Sequence, residues 1–135
     1  MVIIFTNSQG GVAICSPTGE LPIEVVQSRD IPAGIQSYII NSDSLPNEYN
    51  DFYDAWEQTK GVVTVNFTKA QEVTKSRLRQ ERIPLLAAQD VLYMRALEQG
   101  QDTSAIVAEK ARLRDVTLLP DNATTLEELR ALGVQ

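Results

Sequence analysis

The chain has 135 residues, of which 43% are hydrophobic and 22% are charged, and its formal net charge is -6. This length suits one domain with a sizeable core, and the acidic balance disfavours nucleic-acid binding, which requires a basic surface. The absence of histidine excludes Ser-His-Asp and Cys-His catalysis and, with Cys15 as the single cysteine, disfavours zinc and transition-metal sites. We therefore expect no cofactor, no metal site and no enzymatic activity.

The apolar run over residues 1–5 is too short for a signal peptide or a membrane span. A single cysteine forms no intramolecular disulfide, so the fold does not depend on an oxidising compartment. We expect a protein of the cytosol with no membrane partner.

The first half of the chain consists of short apolar, β-branched runs separated by turn residues, which is typical of strands. Strands are predicted over residues 2–5, 12–15, 37–40, 52–57 and 62–66. The first two form a β-hairpin, because the Gly10-Gly11 pair between them lacks the lysine and the spacing of a phosphate-binding loop. Pro22 suits the first position of a short helix over residues 21–28.

Most of the aromatic side chains lie in the segment over residues 52–57. As a strand, this segment places Phe52, Asp54 and Trp56 on one face and Tyr53 on the other. One interpretation is that Phe52 and Trp56 anchor the sheet against the helices. The other is that the aromatic rings form a platform on which a ligand stacks.

The second half of the chain predicts two long helices. Thr68 is a candidate N-cap for the first, and Pro84 predicts a kink or a break within it. The apolar residues that follow predict a broad stripe buried on one face of the helix. The stripe comprises Leu85, Leu86, Ala88, Val91, Leu92, Met94 and Leu97.

Gly100 predicts the end of this first helix, because glycine readily adopts the left-handed conformation. Asp102 or Thr103 can cap the second helix, which runs to about Asp115. The short link predicts that the two helices are antiparallel neighbours. Thr124, with Glu127 three residues later, predicts a capping box that opens a last short helix.

These elements predict an α+β protein with a small N-terminal antiparallel β-sheet followed by a C-terminal antiparallel helical hairpin. We expect a single domain over residues 1–135, in which residues 1–67 are rich in strands and residues 68–135 are helical. A helical pair with a broad apolar stripe is a common surface for self-association, so we expect a homo-oligomer.

The charges are unevenly distributed, since residues 58–82 carry six bases and two acids, a net charge of +4. One interpretation is a solvated helix surface. The other is a local site for an anion or a protein partner.

Several segments together resemble a family of short proteins encoded by tailed bacteriophages. The resemblance is carried by AWE (55–57), VTVNFTKA (63–70), RLR (77–79), RIPLLAAQDV (82–91), YMRALE (93–98) and KARLRD (110–115), with residues 10–12 and 30–34 in the first half. Members of this family are often encoded near tail-fibre genes and are described as virion-associated or tail-fibre-assembly proteins. The resemblance implies a phage protein of the host cytoplasm or the virion tail, but it supplies no functional residues.

Two functions follow as hypotheses. The first is a non-enzymatic tail or tail-fibre structural or assembly protein that binds a tail or fibre protein through Trp56, Arg79 and Arg82, because Trp and Arg dominate interface energetics. The second is an anti-defence protein that sequesters a nucleotide-derived immune signal, by analogy with the outline of Thoeris anti-defence proteins. Arg77, Arg79 and Arg82, or else the Arg112 and Arg114 pair, would bind phosphates, and Tyr53 or Trp56 would stack on a base. The residues involved are Tyr53, Trp56, Arg77, Arg79, Arg82, Arg112 and Arg114.

Overall fold

The computed structural model describes all 135 residues and confirms the α+β class, with an antiparallel sheet in the first half and mostly helix in the second. The chain divides into two compact units, Met1–Ala70 and Gln71–Gln135. The boundary lies close to the predicted division after residue 67.

The first unit contains a three-stranded antiparallel sheet in the order β2-β1-β3. Its strands are β1 (Val2–Thr6), β2 (Val12–Cys15) and β3 (Ser37–Ile40). The predicted hairpin between the first two is confirmed, and the side-chain oxygen of Asn7 accepts hydrogen bonds from the backbone N–H groups of Gln9 (2.9 Å) and Gly11 (3.0 Å) in its turn. These bonds hold the turn closed.

The predicted short helix is α1 (Ile23–Asp30), which begins directly after Pro22. It contacts β1, and the Gln27 amide donates to the Ser37 hydroxyl over 2.9 Å. Because Ile3 and Ser37 point to the same side of the sheet, α1 covers that side, and Ile3 is fully buried there.

A second antiparallel pair is formed by β4 (Trp56–Thr59) and β5 (Val62–Val65). The predicted strand over residues 52–57 is wrong for its first four residues, which belong to a 3₁₀ segment, Asn47–Ala55. The reason is that β5 has only four residues, so it supplies ladder partners for β4 and none for the residues before it.

The core of the first unit lies between the two sheets. Residues at alternate positions of the strands point into it, as the period of a β-strand requires. Its buried members are Val2, Ile4, Val12, Trp56 and Val63, and Ile14, Tyr38, Ile40, Leu45 and Val65 pack against them.

The first long helix, α2 (Phe67–Glu98), begins in the first unit and continues through the second. The predicted cap Thr68 is wrong, because the Asn66 side chain accepts from the Lys69 N–H over 3.0 Å. Asn66 stands directly before the first helical residue, so its side chain reaches the third N–H of the helix, whereas Thr68 already lies within the first turn.

Of the two outcomes predicted at Pro84, a break is wrong, since α2 is helical across this residue. Proline removes one hydrogen bond, here the one to the carbonyl of Gln80. Gln80 and Pro84 are both exposed, so water can reach that carbonyl. The predicted end at Gly100 is confirmed: its φ is +64°, and the N–H groups of Gly100 and Gln101 donate to the carbonyls of Leu97 and Ala96, as in a Schellman motif.

The second long helix is α3 (Ser104–Asp115), followed by a 3₁₀ segment, Val116–Asn122, and by α4 (Leu126–Ala131). Thr103 precedes α3, while the Asp102 carboxylate accepts from the Ser104 N–H (3.0 Å) and hydroxyl (2.6 Å). The predicted capping box before the last helix is displaced by one residue. Thr125 is the cap, and the Glu128 carboxylate accepts from the Thr124 N–H over 2.7 Å.

The turn between β4 and β5 yields a stability prediction. Lys60 and Gly61 both have positive φ (51° and 84°), and a Cβ at Gly61 would lie 3.3 Å from atoms of Tyr38. We expect Gly61→Ala to lower the free energy of unfolding by about 1–3 kcal/mol. Urea unfolding of Gly34→Ala is the matched control, because Gly34 has a φ of +82° and no neighbouring atom within 4 Å. An equal loss in both variants would show that the contact with Tyr38 is unimportant.

Candidate partner-binding surface

The helical hairpin of the second unit is held by polar contacts between α2 and α3. The Arg82 guanidinium donates to the backbone carbonyls of Arg114 (2.7 Å) and Leu113 (3.4 Å). Further along, the Lys110 ammonium lies 2.6 Å from the Asp90 carboxylate and 5.3 Å from the centre of the Tyr93 ring. The two helices are therefore antiparallel, as predicted.

Three of the predicted arginines bind other groups of the second unit, two of them at helix ends. Arg82 binds the last carbonyls of α3, and Arg77 donates to the carbonyls of Leu132 (2.7 Å) and Leu129 (3.2 Å) at the end of α4. Arg112 forms two hydrogen bonds with Glu109 and a third with the carbonyl of Val134. Carbonyls at helix C-termini lack intrahelical partners, so these contacts stabilise the second unit.

The other two predicted arginines, Arg79 and Arg114, are exposed, and their side chains have no hydrogen-bond or ion-pair partner. Arg114 borders a shallow cleft of about 250 Å³ that Tyr93, Val107 and Lys110 also line. Each of the two predicted arginine groups therefore contains members that already bind other groups of the chain, namely Arg77 and Arg82 in the first and Arg112 in the second.

The two predicted aromatic contacts belong to the first unit. Trp56 is 1% exposed and its indole N–H donates to the carbonyl of Tyr49, so its ring is not accessible to a ligand or partner. Tyr53 is 40% exposed, packs edge-on against Trp56 with 5.1 Å between ring centres, and donates its hydroxyl to the Val12 carbonyl. Tyr53 also lines a cleft of about 330 Å³, in which the Lys69 ammonium is paired with Glu57 at 2.6 Å.

The apolar stripe of α2 is not buried as predicted. The side that faces α3 carries residues at heptad spacing, and Ala96 is the buried one among them. These residues are Arg82, Leu86, Gln89, Tyr93 and Ala96. Most of the predicted stripe points elsewhere, with Val91 (50%), Leu92 (44%), Met94 (55%) and Leu97 (51%) left exposed.

Apart from Val91, which lies opposite the α3-facing side, the exposed apolar side chains of α2 lie on two flanks, one on either side of the α3-facing residues, since successive residues are separated by about 100° around the helix. We call the first flank Ile83, Ala87, Met94 and Leu97, and the second flank Leu85, Ala88 and Leu92. The first flank continues onto α3, because Asp90 within it pairs with Lys110 and the exposed Val107 borders the same cleft as Tyr93.

Exposed apolar flanks of this kind are the strongest candidate for a functional site in the structure. An α-helix that is apolar on all sides is normally buried on all sides, and large exposed apolar patches mark interaction surfaces. Sequence reasoning grouped these residues as one buried face. The signal it missed is that they occupy too wide an arc for a single neighbouring helix to cover.

No group of three or more His, Cys, Asp and Glu side chains is placed to hold a metal ion, and none of the helices combines the length and apolarity needed to cross a membrane. Comparison with known proteins finds no matching family model, curated protein or solved structure.

The role of Arg77 can be tested by its removal. We expect Arg77→Met to lower the free energy of unfolding by about 1–2 kcal/mol, because two carbonyls lose a charged donor. Arg95→Met is the control, since Arg95 is an exposed residue of the same helix without a partner. Urea unfolding followed by circular dichroism measures both, and equal stabilities of the two variants would contradict the assignment.

Two carboxylates, Asp102 just before α3 and Glu109 within it, predict that the free energy of unfolding depends on pH. Hydrogen bonds from Ser104 lower the pKa of Asp102, and those from Arg112 lower the pKa of Glu109. The unfolded chain therefore binds more protons than the folded chain as the pH falls below the ordinary carboxylate pKa of about 4. The stabilisation is present at neutral pH and is lost as the pH falls through the lowered pKa values.

We expect the free energy of unfolding, measured with urea at several pH values between 7 and about 2.5, to decrease towards acid. The decrease should be smaller in Glu109→Gln, which has no proton to bind. A free energy of unfolding that rises towards acid, or an unchanged slope in the variant, would argue against this contribution.

Proposed function

We propose that this chain is a non-enzymatic protein that acts by binding another protein through the exposed apolar flanks of α2, in the assembly or structure of a bacteriophage tail or tail fibre. The observation that carries the proposal is the exposure of six large apolar side chains in the C-terminal half of this helix. They are Ile83, Leu85, Val91, Leu92, Met94 and Leu97.

The energetics support a protein partner. Covering half-exposed side chains of this size contributes about 1 kcal/mol each, so a partner that covers one flank gains several kcal/mol before the costs of association. An amphipathic helix or a groove of the partner would suit such a surface. The tail or fibre identity of the partner rests on the resemblance of the sequence to short tail-associated phage proteins. We accordingly propose that the chain acts in the host cytoplasm during infection or in the virion tail.

The nucleotide-sequestering alternative has less support. It requires several cations and an aromatic ring in one pocket, whereas Arg77, Arg82 and Arg112 already bind carbonyls or carboxylates of the chain itself. The buried Trp56 offers no face for stacking.

The test is co-purification of the tagged full-length chain with the tail and tail-fibre proteins of its own phage, expressed one at a time. We expect at least one of them to bind. The double variant Leu92→Gln and Met94→Gln, which places one polar side chain on each side of α2, should weaken binding about 10-fold or more. Val62→Gln is the control, because Val62 is a 63% exposed apolar residue of β5.

Thermal unfolding first establishes that both variants are folded. If the chain binds none of the tail or fibre proteins, the proposal is wrong about the partner. If Val62→Gln weakens binding as much as the double variant, it is wrong about the surface. Calorimetric titration with cyclic and ADP-ribose-type nucleotides tests the alternative, and heat of binding there would favour it.

A further inference from the structure

The first flank has a charge at each end. Arg79 precedes its apolar residues and Glu98 follows them, at a separation of roughly 28 Å along the helix. Both side chains are exposed, and neither forms an ion pair or a hydrogen bond. Asp90, which lies within the flank between Leu97 and Ile83, is by contrast already paired with Lys110. The flank is therefore an apolar strip that contains one paired carboxylate and has one unpaired cation and one unpaired anion at opposite ends.

This arrangement is self-complementary. If two copies of α2 run antiparallel about a two-fold axis, the residue numbers of opposed positions have a constant sum. The pair Arg79 and Glu98 and the pair Ile83 and Met94 have the same sum of residue numbers. Both pairs are therefore centred between Ala88 and Gln89. One axis therefore brings the opposite charges to the same level along the two helices and places the apolar side chains opposite each other.

We propose that the first flank is occupied by a second copy of this chain, packed antiparallel, with Arg79 of each copy opposite Glu98 of the other. The two-fold interface is isologous, so each charge pair forms twice. Ala87 lies near the axis, opposite Asp90 of the other copy, and its small side chain leaves room for the Asp90–Lys110 pair. A parallel arrangement would instead oppose Arg79 to Arg79, which is repulsive.

The inference rests on the proposed function in taking α2 as a protein-binding helix. It names the occupant of one flank and leaves the second flank, with Leu85 and Leu92, for the tail or fibre protein.

The area of the flank sets the expected strength. Ile83, Met94, Leu97 and Val107 are each 51–56% exposed, which corresponds to roughly 80 Å² of accessible side chain apiece. With the stems of Arg79 and Glu98, two copies would cover roughly 1,000 Å², the lower end of specific interfaces. We expect a monomer–dimer equilibrium with a micromolar dissociation constant.

Analytical ultracentrifugation of the full-length chain from about 1 to several hundred micromolar, at low salt, tests the proposal. We expect dimerisation of the wild-type chain and at least 10-fold weaker dimerisation of Arg79→Glu and of Glu98→Arg. The double variant, which exchanges the two charges, should return to within about 3-fold of the wild type. Arg95→Glu is the control and should dimerise normally, because Arg95 lies outside the first flank.

A second measurement does not depend on the charges. In a Cys15→Ser background, Ala87→Cys places one thiol near the two-fold axis, and oxidation should crosslink the chain to itself. Ala105→Cys, on the exposed surface of α3, should crosslink far less. A wild-type chain that stays monomeric throughout, a charge exchange that does not restore dimerisation, or equal crosslinking of both cysteines would each overturn the proposal.

The two proposals fail separately. An Arg79→Glu chain that is monomeric but still binds a tail or fibre protein supports the dimer interface and the proposed function together. A dimer that binds no tail or fibre protein retains this inference and removes the proposed partner, whereas a monomer that binds one removes this inference alone.

Discussion

The packing of α3 against a single side of α2 is the constraint from which the candidate site follows. Arg82 donates to carbonyls near the end of α3, and Lys110 pairs with Asp90 above the Tyr93 ring. These contacts determine which side of α2 is covered. The other sides carry large aliphatic side chains that nothing in the second unit covers, and burial of such side chains is the main source of association free energy.

The arginines show how the charges of this acidic chain are used. Arg77 and Arg82 donate to backbone carbonyls at the ends of α4 and α3, and Lys75 lies 2.7 Å from the Asp121 carboxylate. Most of the basic segment over residues 58–82 therefore stabilises helix ends or neutralises acids of its own unit. Arg79 is the exception. It has no partner within the chain, and in the proposed dimer it pairs with Glu98 of the other copy.

The aromatic residues of the first unit have a structural role. Trp56 is enclosed between the two sheets, and Tyr53 packs against its ring while donating to the backbone of β2. The buried indole satisfies its only donor with the Tyr49 carbonyl, as buried tryptophans generally do. The sequence offered two interpretations, an anchor between sheet and helices or a platform for a ligand. The burial of Trp56 agrees with an anchor, although Trp56 joins the two sheets.

The sequence by itself determined the class of the fold, the first hairpin, the strand at residues 37–40, the helix end at Gly100 and the antiparallel order of the two long helices. These features depend on local preferences: β-branched residues in strands, glycine at positive φ, and a short link between helices. The tertiary structure alone decided the start of β4, the helical path across Pro84, and which residues of α2 are covered. Strand pairing requires a partner, the cost of a proline depends on whether the freed carbonyl is hydrated, and burial depends on how many neighbours surround a helix. None of these is a property of a local segment, so the pattern that predicted a buried stripe could not show that most of it remains exposed.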